Sequence, residues 1–158
     1  MIFSEIDQTF MRMAMREAAK AFEADECPIG AVVTLDNRVI GKGYNQTILL
    51  NDPTAHAEMI AITAAANSIG KDRLKECSLY VTLEPCLMCS GAIIQSRIDT
   101  LFFSAFEPKT GACGSLYNVV QDDRLNHTVK VFSGLYEQES RLLLQEFFLS
   151  KRNKNIIN

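Results

Sequence analysis

Two short segments of the sequence contain side chains that can bind a metal ion and move a proton. The first is HAE, with His56 and Glu58, and the second is PCLMC, with Cys86 and Cys89. One imidazole and two thiolates give Zn²⁺ three ligands and leave its fourth position open, which is typical of a catalytic site. Zinc lowers the pKa of a water in that position from about 15.7 to about 7, so hydroxide is available at neutral pH. The sequence therefore predicts a hydrolytic zinc site in which Glu58 is free to carry protons.

The remaining cysteines and the second histidine do not extend this site. A C-x-x-C pair alone could be a redox pair or half of a structural zinc site. A redox pair needs no distant His-x-Glu motif, however, and a Cys₄ site needs a second close cysteine pair. Cys77 and Cys113 occur singly and are interpreted as buried small hydrophobic residues, the usual state of a free cysteine. The role of Cys27 is left open, and His127 is interpreted as a surface histidine.

The composition is that of an ordinary globular domain. The chain has 158 residues, of which 47% are hydrophobic and 22% charged, and we expect residues 1–158 to form one domain. No apolar run approaches the ~20 residues that a membrane span requires, and the N-terminus carries Glu5 and Asp7 instead of the basic start of a secretory signal. A reducing, cytoplasmic compartment is therefore expected, which suits zinc thiolates. The net charge of −3 argues against a general polyanion binder but leaves room for a local basic patch.

Alternating helix and strand patterns surround the two motifs. Runs rich in β-branched and aromatic residues indicate strands, and apolar residues three or four apart indicate helices. Such alternation predicts a three-layer α/β/α sandwich with a mixed five-stranded sheet. The expected strands are Ala31–Leu35, Val39–Tyr44, Ser78–Leu83, Thr100–Ser104 and Val129–Phe132, the first two joined by a hairpin turn at Asp36-Asn37. The expected helices run to about Ala24, from Pro53-Thr54 to Gly70, from Cys86 through Ile94, and from Gln138 to Leu149.

These helices are expected to place the motif residues at helix starts. Cys86 and Cys89 stand three apart in a first turn, so they share a face and can bind one ion, and the unpaired N–H groups there favour the thiolate form. His56 is expected in the first turn of the second helix, where Glu58 would point to the opposite side. Both can serve one site only near a frayed helix start. Two apolar stripes are expected to face the core: Met59, Ile62, Ala66 and Ile69 on the second helix, and Leu144 with Phe148 on the last.

The sequence strongly resembles the bacterial tRNA-specific adenosine deaminases in four longer segments. These are DPTAHAEMIAI, LYVTLEPCLMCSGAIIQSRI, PKTGACGS and LNHTVKV, and the resemblance covers nearly the whole chain. The zinc motif itself is shared with cytidine, guanine and other deaminases. Two other features, in contrast, resemble the tRNA branch specifically. They are the segment Pro108–Ser115 and the pair Phe147-Phe148, which precedes Lys151-Arg152.

The resemblance implies a fold, a reaction and a set of site residues. The fold is cytidine-deaminase-like and forms a homodimer, and the reaction is the hydrolytic conversion of the wobble adenosine of a tRNA anticodon stem-loop to inosine. One Zn²⁺ per chain is held by His56, Cys86 and Cys89. Glu58 passes protons from the zinc-bound water to the ring nitrogen and the departing ammonia, a contribution of about 10²–10⁴-fold in rate. The implied substrate contacts are Asn45 with the base, Ile29, Leu83 and Phe148 along the pocket wall, and Glu107 with the sugar, so RNA and not DNA is the expected partner.

Two positions depart from the family pattern. Glu107 stands where the family usually has Asp, and it could also be simply a turn residue before Pro108. The loop Gln46–Asn51 lacks the Lys or Arg that relatives often place there to meet phosphate. Without the resemblance, Asn45 would be interpreted as a turn residue and the pocket-wall residues as core residues. The basic residues that could compensate are Lys71, Arg73, Lys75, Lys109, Lys151, Arg152 and Lys154.

Two other functions stay open at this point. A guanine deaminase that acts on the free base would share the zinc motif. A catalytically silent zinc protein that binds only RNA or a partner subunit would need the three ligands but no proton carrier, so the presence of Glu58 argues against it.

Overall fold

A computed structural model describes residues 2–157 of the chain. Along these residues five strands alternate with four helices. None of the helices in this described part is both long and apolar enough to cross a membrane. The strands are β1 (Gly30–Leu35), β2 (Arg38–Tyr44), β3 (Ser78–Leu83), β4 (Thr100–Ala105) and β5 (Lys130–Ser133). The helices are α1 (Glu5–Glu23), α2 (Ala57–Ile69), α3 (Leu87–Ser96) and α4 (Glu137–Ile157).

The five strands form one mixed sheet in the order β2-β1-β3-β4-β5. β1 pairs antiparallel with both β2 and β3, whereas β3, β4 and β5 are parallel. Asp36 and Asn37 join β1 to β2, and both have positive φ angles, 50° and 59°, which a tight two-residue hairpin turn requires. The expected mixed five-stranded sheet and its hairpin are confirmed.

Two helices cover each face of the sheet. α2 and α3 pack on the face that presents Val33 and Val81, in a core that includes Ile93 of α3. On the opposite face, Met11 of α1 lies in a second core with Val32 of β1. α4 contacts α1, β3 and β4 on this second face. The three-layer α/β/α sandwich is therefore confirmed.

One end of the sheet collects the ends of four strands. Gly30 at the start of β1 pairs with Tyr44 at the end of β2, and Leu83 at the end of β3 pairs with Ala105 at the end of β4. Because β1 is antiparallel to β3, all four of these residues lie at the same end, which we call the site end of the sheet. Ligands of open α/β sheets bind beyond the carboxyl ends of the strands. The topology thus points to this end before any side chain is considered.

Helix α2 begins later than expected. It starts one residue after His56 and not at Pro53-Thr54, so His56 is its N-cap residue and lies outside the first turn. Its fully buried face contains Ala61 and Ala65, and the predicted apolar stripe lies beside it: Ile62, Ala66 and Ile69 are half-buried and pack against the same core. A Cβ atom at Gly41 in β2 would lie 2.4 Å from the backbone oxygen of Ala61. The strand and the helix therefore approach so closely that only small residues fit between them.

Helix α4 also differs from its prediction. It extends to residue 157 instead of ending near Leu149. Phe147 is its buried aromatic residue, with 6% of its surface exposed, whereas Phe148 is 49% exposed. The Phe147 ring contacts the ring of Phe22 on α1, with the centroids 5.9 Å apart. The predicted stripe through Phe148 is wrong because the contact between the two helices selects its neighbour.

The two other cysteines considered above and the second histidine are all at least half-buried. Cys77 and Cys113 are buried, 0% and 4% exposed, as expected. His127 is not a surface histidine: it is half-buried, and its Nε2 lies 2.7 Å from the carbonyl oxygen of Ile98. His127 therefore joins the segment before β5 to the segment before β4, a contact between distant parts of the chain that the sequence pattern does not show.

Candidate metal and substrate site

The two predicted motifs meet at the site end of the sheet. His56 is the N-cap residue of α2, Cys86 is the N-cap residue of α3, and Cys89 lies in the first turn of α3. The Nδ1 atom of His56 lies 3.6 Å from Sγ of Cys86 and 3.5 Å from Sγ of Cys89. All three donor atoms lie within 4.8 Å of one another. The fold thus gathers the three predicted metal ligands around one point.

Extended backbone at the helix starts makes this geometry possible. His56 has φ −73° and ψ 154°, and Cys86 has φ −74° and ψ 176°. Because His56 is not helical, helical spacing does not force Glu58 to the side opposite His56. The backbone N–H of Gln46 donates to the carbonyl oxygen of Ala55 at 2.9 Å, which fixes the chain ahead of His56 against the loop after β2.

Hydrogen bonds within the cluster shift the pKa values of all three metal-binding side chains. The pKa of Cys86 is lowered to about 4, chiefly because its sulfur accepts a hydrogen bond from the Cys89 thiol. Hydrogen bonds with His56 and with the backbone N–H of Cys89 lower it further, and the second of these is the contact expected at a helix start. The contact with Cys86 raises the pKa of Cys89, and a hydrogen bond with Cys86 raises the pKa of His56. Two sulfur atoms and one imidazole at these distances suit Zn²⁺, which binds these donors at about 2.0–2.3 Å. A bound cation would favour the thiolate form of both cysteines.

Glu58 lies in the first turn of α2, beside the cluster but outside its three donors. Only 4% of its surface is exposed. Burial raises the pKa of its carboxyl group, while the charge of His56 lowers it. A carboxyl group with a raised pKa can take up and return a proton near neutral pH. The position of Glu58 therefore suits a proton carrier.

Asn45 directly follows β2 and is buried, with 6% of its surface exposed. Its backbone N–H donates to the carbonyl oxygen of Ile29 at 3.1 Å, and its Nδ2 lies 3.5 Å from Oε2 of Glu26. Glu26, which is 1% exposed, also accepts the backbone N–H groups of Ile48 and Leu49 at Oε1, at 2.9 and 2.7 Å. One buried carboxylate therefore holds both Asn45 and the loop that follows it.

Glu107 is half-buried in the loop after β4. Its backbone N–H donates to Oε1 of Glu84 at 3.0 Å, and its own Oε1 accepts the backbone N–H of Lys109 at 3.0 Å. The hydrogen bond with the Lys109 N–H is typical of a turn residue, so one carboxylate oxygen of Glu107 agrees with its interpretation as a turn residue before Pro108. The other oxygen, Oε2, accepts no hydrogen bond from residues 2–157. It is therefore open to a ligand hydroxyl.

The predicted pocket wall is divided between two places. Ile29 precedes β1 and Leu83 ends β3, so both lie half-buried at the site end. Phe148 lies on α4, where its ring centroid is 5.5 Å from that of Phe147 and about half of its surface is exposed. The fold thus brings Ile29 and Leu83 to the metal ligands' end of the sheet and leaves Phe148 on the neighbouring helix.

The sequence pattern does not reveal two buried glutamates that organise this site. They are Glu26 and Glu84, 1% and 3% exposed. A weak signal exists, because Glu84 directly precedes Pro85 and Glu26 stands two residues before Pro28. An acidic residue near a proline usually indicates an exposed turn, however. Local spacing gives no sign that either carboxylate is buried beneath a loop.

The basic residues expected to meet RNA do not form one surface. Lys71, Arg73 and Lys75 follow the C-terminal end of α2, a helix of 13 residues. The length of that helix separates them by about 20 Å from His56 at its other end. Lys109, in contrast, is exposed two residues after Glu107. The first three residues therefore lie at the end of α2 opposite to the metal ligands.

The basic residues of α4 are partly neutralised within the protein. Lys151 Nζ lies 2.8 Å from one carboxylate oxygen of Asp25, and Lys154 Nζ lies 3.7 Å from the other. Arg152, between them in sequence, is exposed. Asp25 immediately precedes Glu26, so this ion-pair group lies next to the segment that holds Asn45. The charge that α4 offers to an anion is therefore smaller than its sequence indicates.

The chain matches the cytidine and deoxycytidylate deaminase zinc-binding region over residues 4–105. The tRNA-specific adenosine deaminase of Haemophilus influenzae is 46% identical to it over 155 residues, which cover 98% of this chain and 90% of that protein. The tRNA-specific adenosine deaminase of Bacillus subtilis is 43% identical over 148 residues, which cover 94% of this chain and 92% of that protein. The similarity therefore extends far beyond the zinc motif, to nearly the full length of both chains.

Two solved structures with high sequence identity represent the two candidate activities. A structure from a study of A-to-I editing by tRNA:A34 deaminases at the wobble position has a TM-score of 0.83 and 47% identity, and covers 85% of this chain and 98% of that chain. A guanine deaminase from Bacillus subtilis has a TM-score of 0.61 and 38% identity, and covers 66% of each chain. The relatives with 43–47% identity and nearly full coverage are tRNA-specific adenosine deaminases, so the guanine alternative is not favoured.

Proposed function

This chain belongs to the tRNA-specific adenosine deaminases, within the cytidine and deoxycytidylate deaminase family, and we propose that it converts the wobble adenosine of a tRNA anticodon to inosine. The reaction is hydrolytic: water adds at C6 of the adenine ring and ammonia leaves. The observation that carries the proposal is the placement of buried Glu58 beside a His-Cys-Cys cluster, at the same end of the sheet as Asn45 and Glu107.

The metal ligands and Glu58 are proposed to perform the chemical step. His56, Cys86 and Cys89 would hold one zinc ion, which supplies Lewis-acid activation of the attacking water. Glu58 would carry two protons in turn, the first from the attacking water to N1 of the ring and the second from the hydroxyl group gained at C6 to the departing amine. Its burial keeps bulk water away from the carboxyl group and raises its pKa above the ordinary value, which favours the uptake of a proton.

The loops at the site end are proposed to hold the target nucleotide. An adenine must leave the anticodon stack to reach the zinc ligands. The buried amide of Asn45 can donate to and accept from the edge of the base, and Ile29, Leu83 and Phe148 would provide an apolar wall. The open oxygen of Glu107 can accept the ribose 2′-hydroxyl, the group that distinguishes RNA from DNA. RNA is therefore the proposed substrate, and DNA is not.

The proposed activity is tested by offering two substrates in parallel. The zinc-loaded protein is incubated with an arginine tRNA anticodon stem-loop and, separately, with free guanine, and inosine, xanthine and ammonia are measured. We expect inosine and an equal amount of ammonia from the RNA, and no xanthine. Xanthine without inosine would establish a guanine deaminase. Binding of the RNA without either product would establish a silent zinc protein.

We also propose that two copies of the chain associate beside α2. The loop after β2 exposes Ile48, Leu49 and Leu50 by 65%, 61% and 54% of their surface. Leu50 and Met59 line a shallow cavity of about 400 Å³ on the outer side of α2. Exposed apolar side chains that adjoin one another are typical of association sites. A second copy of the chain would remove them from water.

Sedimentation equilibrium tests the homodimer. Wild-type protein should sediment as a dimer and Leu50→Glu as a monomer. Leu142→Glu is the matched control, because Leu142 is 50% exposed on α4, away from this surface, and its substitution should leave the dimer intact. A monomeric wild type would contradict the proposal.

Two further features complete the proposed function. Residues 1–158 are proposed to act as one domain, since every proposed site residue lies in one sheet, in the helices that cover it or in the loops that connect them. A tRNA substrate makes the cytoplasm the proposed location of the reaction. Limited proteolysis should yield no shorter fragment that keeps both zinc and activity.

A further inference from the structure

The carboxylate of Glu84, between β3 and Pro85, is buried beneath the loop that follows β4. The residue is 3% exposed. Its Oε1 accepts the backbone N–H of Glu107 at 3.0 Å, and its Oε2 accepts those of Cys113 and Ser115, both at 3.0 Å. The hydroxyl group of Ser115 donates to Oε1 as well. Four hydrogen bonds from one loop therefore occupy both oxygens of a single buried carboxylate.

The loop is shaped around this carboxylate. A Cβ atom at Gly111 would lie 2.3 Å from the carboxyl carbon of Glu84, so only glycine fits there. The loop also pairs with the start of α3: the N–H of Ala112 donates to the carbonyl oxygen of Pro85 at 2.9 Å, and Gly111 forms a β-bridge with Cys86. The loop is thus fixed between the Glu84 carboxylate and the backbone of a metal ligand.

We propose that Glu84 is a positioning residue for the deamination: it holds the loop of residues 107–115 so that Glu107 faces the ribose of the target nucleotide. The inference rests on the proposed function and adds to it the residue that orients the sugar contact. Both oxygens of Glu84 are taken up by hydrogen bonds from the loop, so it would act through the backbone N–H of Glu107 and not by touching substrate or metal. Its three backbone contacts fix the loop at both ends, because residue 107 begins the loop and Ser115 ends it.

Stability alone does not explain a carboxylate at this position. Removing a carboxylate from water opposes folding, and apolar residues of similar volume often stabilise a core equally well. A single acceptor that takes four donors instead specifies one arrangement of the loop. The loop contains PKTGACGS, the segment whose resemblance is specific to the tRNA branch. Glu84 therefore joins the zinc motif that many deaminases share to the segment that distinguishes this branch.

The test uses three variants that differ in how much of this network they remove. Glu84→Gln keeps the size of the side chain but removes its charge and one acceptor oxygen. Ser115→Ala removes one hydrogen bond and leaves the three backbone contacts. Glu76→Gln is the matched control, since Glu76 is an exposed glutamate just before the other end of β3. Each zinc-loaded protein is assayed on stem-loops with adenosine or 2′-deoxyadenosine at the target position, and kcat, KM and zinc content are measured.

The expected result is a selective loss on the ribose substrate. Glu84→Gln should lower kcat/KM for adenosine by up to about 100-fold, the effect of a displacement of roughly 1 Å. It should lower kcat/KM for deoxyadenosine much less, so the ratio of the two falls towards one. In a Glu107→Asn background, adding Glu84→Gln should not change the ratio further, because residues that act through one another have non-additive effects. Ser115→Ala should lower the ratio by a smaller factor, and Glu76→Gln should leave it at the wild-type value.

Three results would overturn the inference. They are an unchanged ratio in Glu84→Gln and Ser115→Ala, an equal loss on both substrates, and a wild-type ratio near one. If Glu84→Gln fails to fold, Ser115→Ala decides alone, and an unchanged ratio in that variant overturns the inference. A wild-type protein that makes no inosine from either stem-loop would instead contradict the proposed function itself.

Discussion

The two sides of the candidate site are built in different ways. The metal side consists of Glu58 and the three ligands, all at the starts of α2 and α3. The substrate side consists of Asn45 and Glu107, which lie in the loops after β2 and β4. Each of these loops is held by one buried carboxylate, Glu26 for the first and Glu84 for the second. In the proposed function, regular elements therefore support the chemistry and anchored loops support the selection of the substrate.

This difference follows from how each side pairs its backbone N–H groups. A helix start has free N–H groups as part of its regular geometry, and a ligand or side chain can use them. A partly buried loop has no such regularity, so its N–H groups need acceptors from elsewhere in the chain. Glu26 accepts two of them and Glu84 accepts three. The shape of each loop thus depends on one residue distant from it in sequence.

Replacing a metal ligand should have the largest effect. Cys86→Ser exchanges a thiolate that zinc binds well for a hydroxyl that it binds poorly, so the protein should lose its zinc and all measurable deamination. The melting temperature should also fall, because α2 and α3 lose their common ligand. Metal analysis and thermal unfolding measure both effects. Cys27→Ser, at a half-buried cysteine outside the cluster, is the control and should keep one zinc per chain. A zinc-replete Cys86→Ser protein would contradict the assignment of the metal side.

Removing the anchor of the first loop should have a smaller and different effect. Glu26→Gln weakens the contacts to Asn45 and to the backbone of the following loop, and we expect kcat/KM for the RNA stem-loop to fall about tenfold or more through loss of orientation. Zinc content should stay at the wild-type value because the metal side does not depend on Glu26. Glu23→Gln, at the exposed glutamate that ends α1 three residues before Glu26, should change neither quantity. Loss of zinc from Glu26→Gln would show that the two sides are not independent.

Cys86 of the metal side and Cys27, which lies outside it, should respond differently to pH. In metal-stripped protein, the Cys86 pKa of about 4 makes it a thiolate at neutral pH, whereas burial raises the pKa of Cys27 to about 11. At about pH 8, where roughly one Cys27 in a thousand is ionised, iodoacetamide should modify Cys86 and almost no Cys27. Modification of Cys27 should increase as the pH approaches 11.

The same shift has a consequence for stability. A thiol pKa that is raised by folding favours the folded state below the pKa of the unfolded chain, and this contribution to the free energy of unfolding is lost as the pH rises towards 11.

For the alkylation experiment, peptide mass spectrometry at timed intervals gives the rate of modification at each cysteine. Rapid modification of Cys27 at about pH 8 would contradict its burial.

The smallest effect should come from the ion pairs on the surface. Asp25→Asn releases Lys151 and Lys154 from an exposed partner, so α4 should attract RNA more strongly. We expect Kd for the stem-loop to fall by less than about tenfold at low salt, and log Kd to depend more steeply on log salt. Filter binding over a range of salt concentrations measures both. A Kd that does not respond to Asp25→Asn at low salt would show that α4 does not contact the RNA.

The sequence predicts the metal side well because its information is local. Two short motifs contain all three ligands and Glu58, and the strand and helix patterns around them place both motifs at helix starts. The exact start of α2 is not predictable in this way, since the chain just before it is held by a contact with another loop, the hydrogen bond from the Gln46 N–H to the Ala55 carbonyl oxygen. His56 is the N-cap residue with extended backbone, which resolves the apparent conflict between His56 and Glu58.

The substrate side is less predictable because its information is distant in sequence. The contact between Glu26 and the loop after β2 spans more than twenty residues, and that between Glu84 and Ser115 spans thirty-one. No periodicity shows that a carboxylate next to a turn is buried beneath a loop. The choice of Phe147 over Phe148 as the buried residue of α4 likewise depends on a contact with α1. Resemblance to a family proposes roles for Asn45 and Glu107, but only the fold shows what holds them.

One measurement tests most directly whether the metal side performs the chemistry and the substrate side selects RNA. It compares Glu58→Gln and Glu107→Asn by single-turnover rate, stem-loop Kd and zinc content, with adenosine and 2′-deoxyadenosine at the target position. Glu58→Gln should slow both substrates by at least about 100-fold, with zinc and Kd unchanged. Glu107→Asn should keep its zinc and its rate on deoxyadenosine and lose only the preference for adenosine. Loss of zinc or of RNA binding in Glu58→Gln, or an equal preference for adenosine in Glu107→Asn and wild type, would contradict this division of the site.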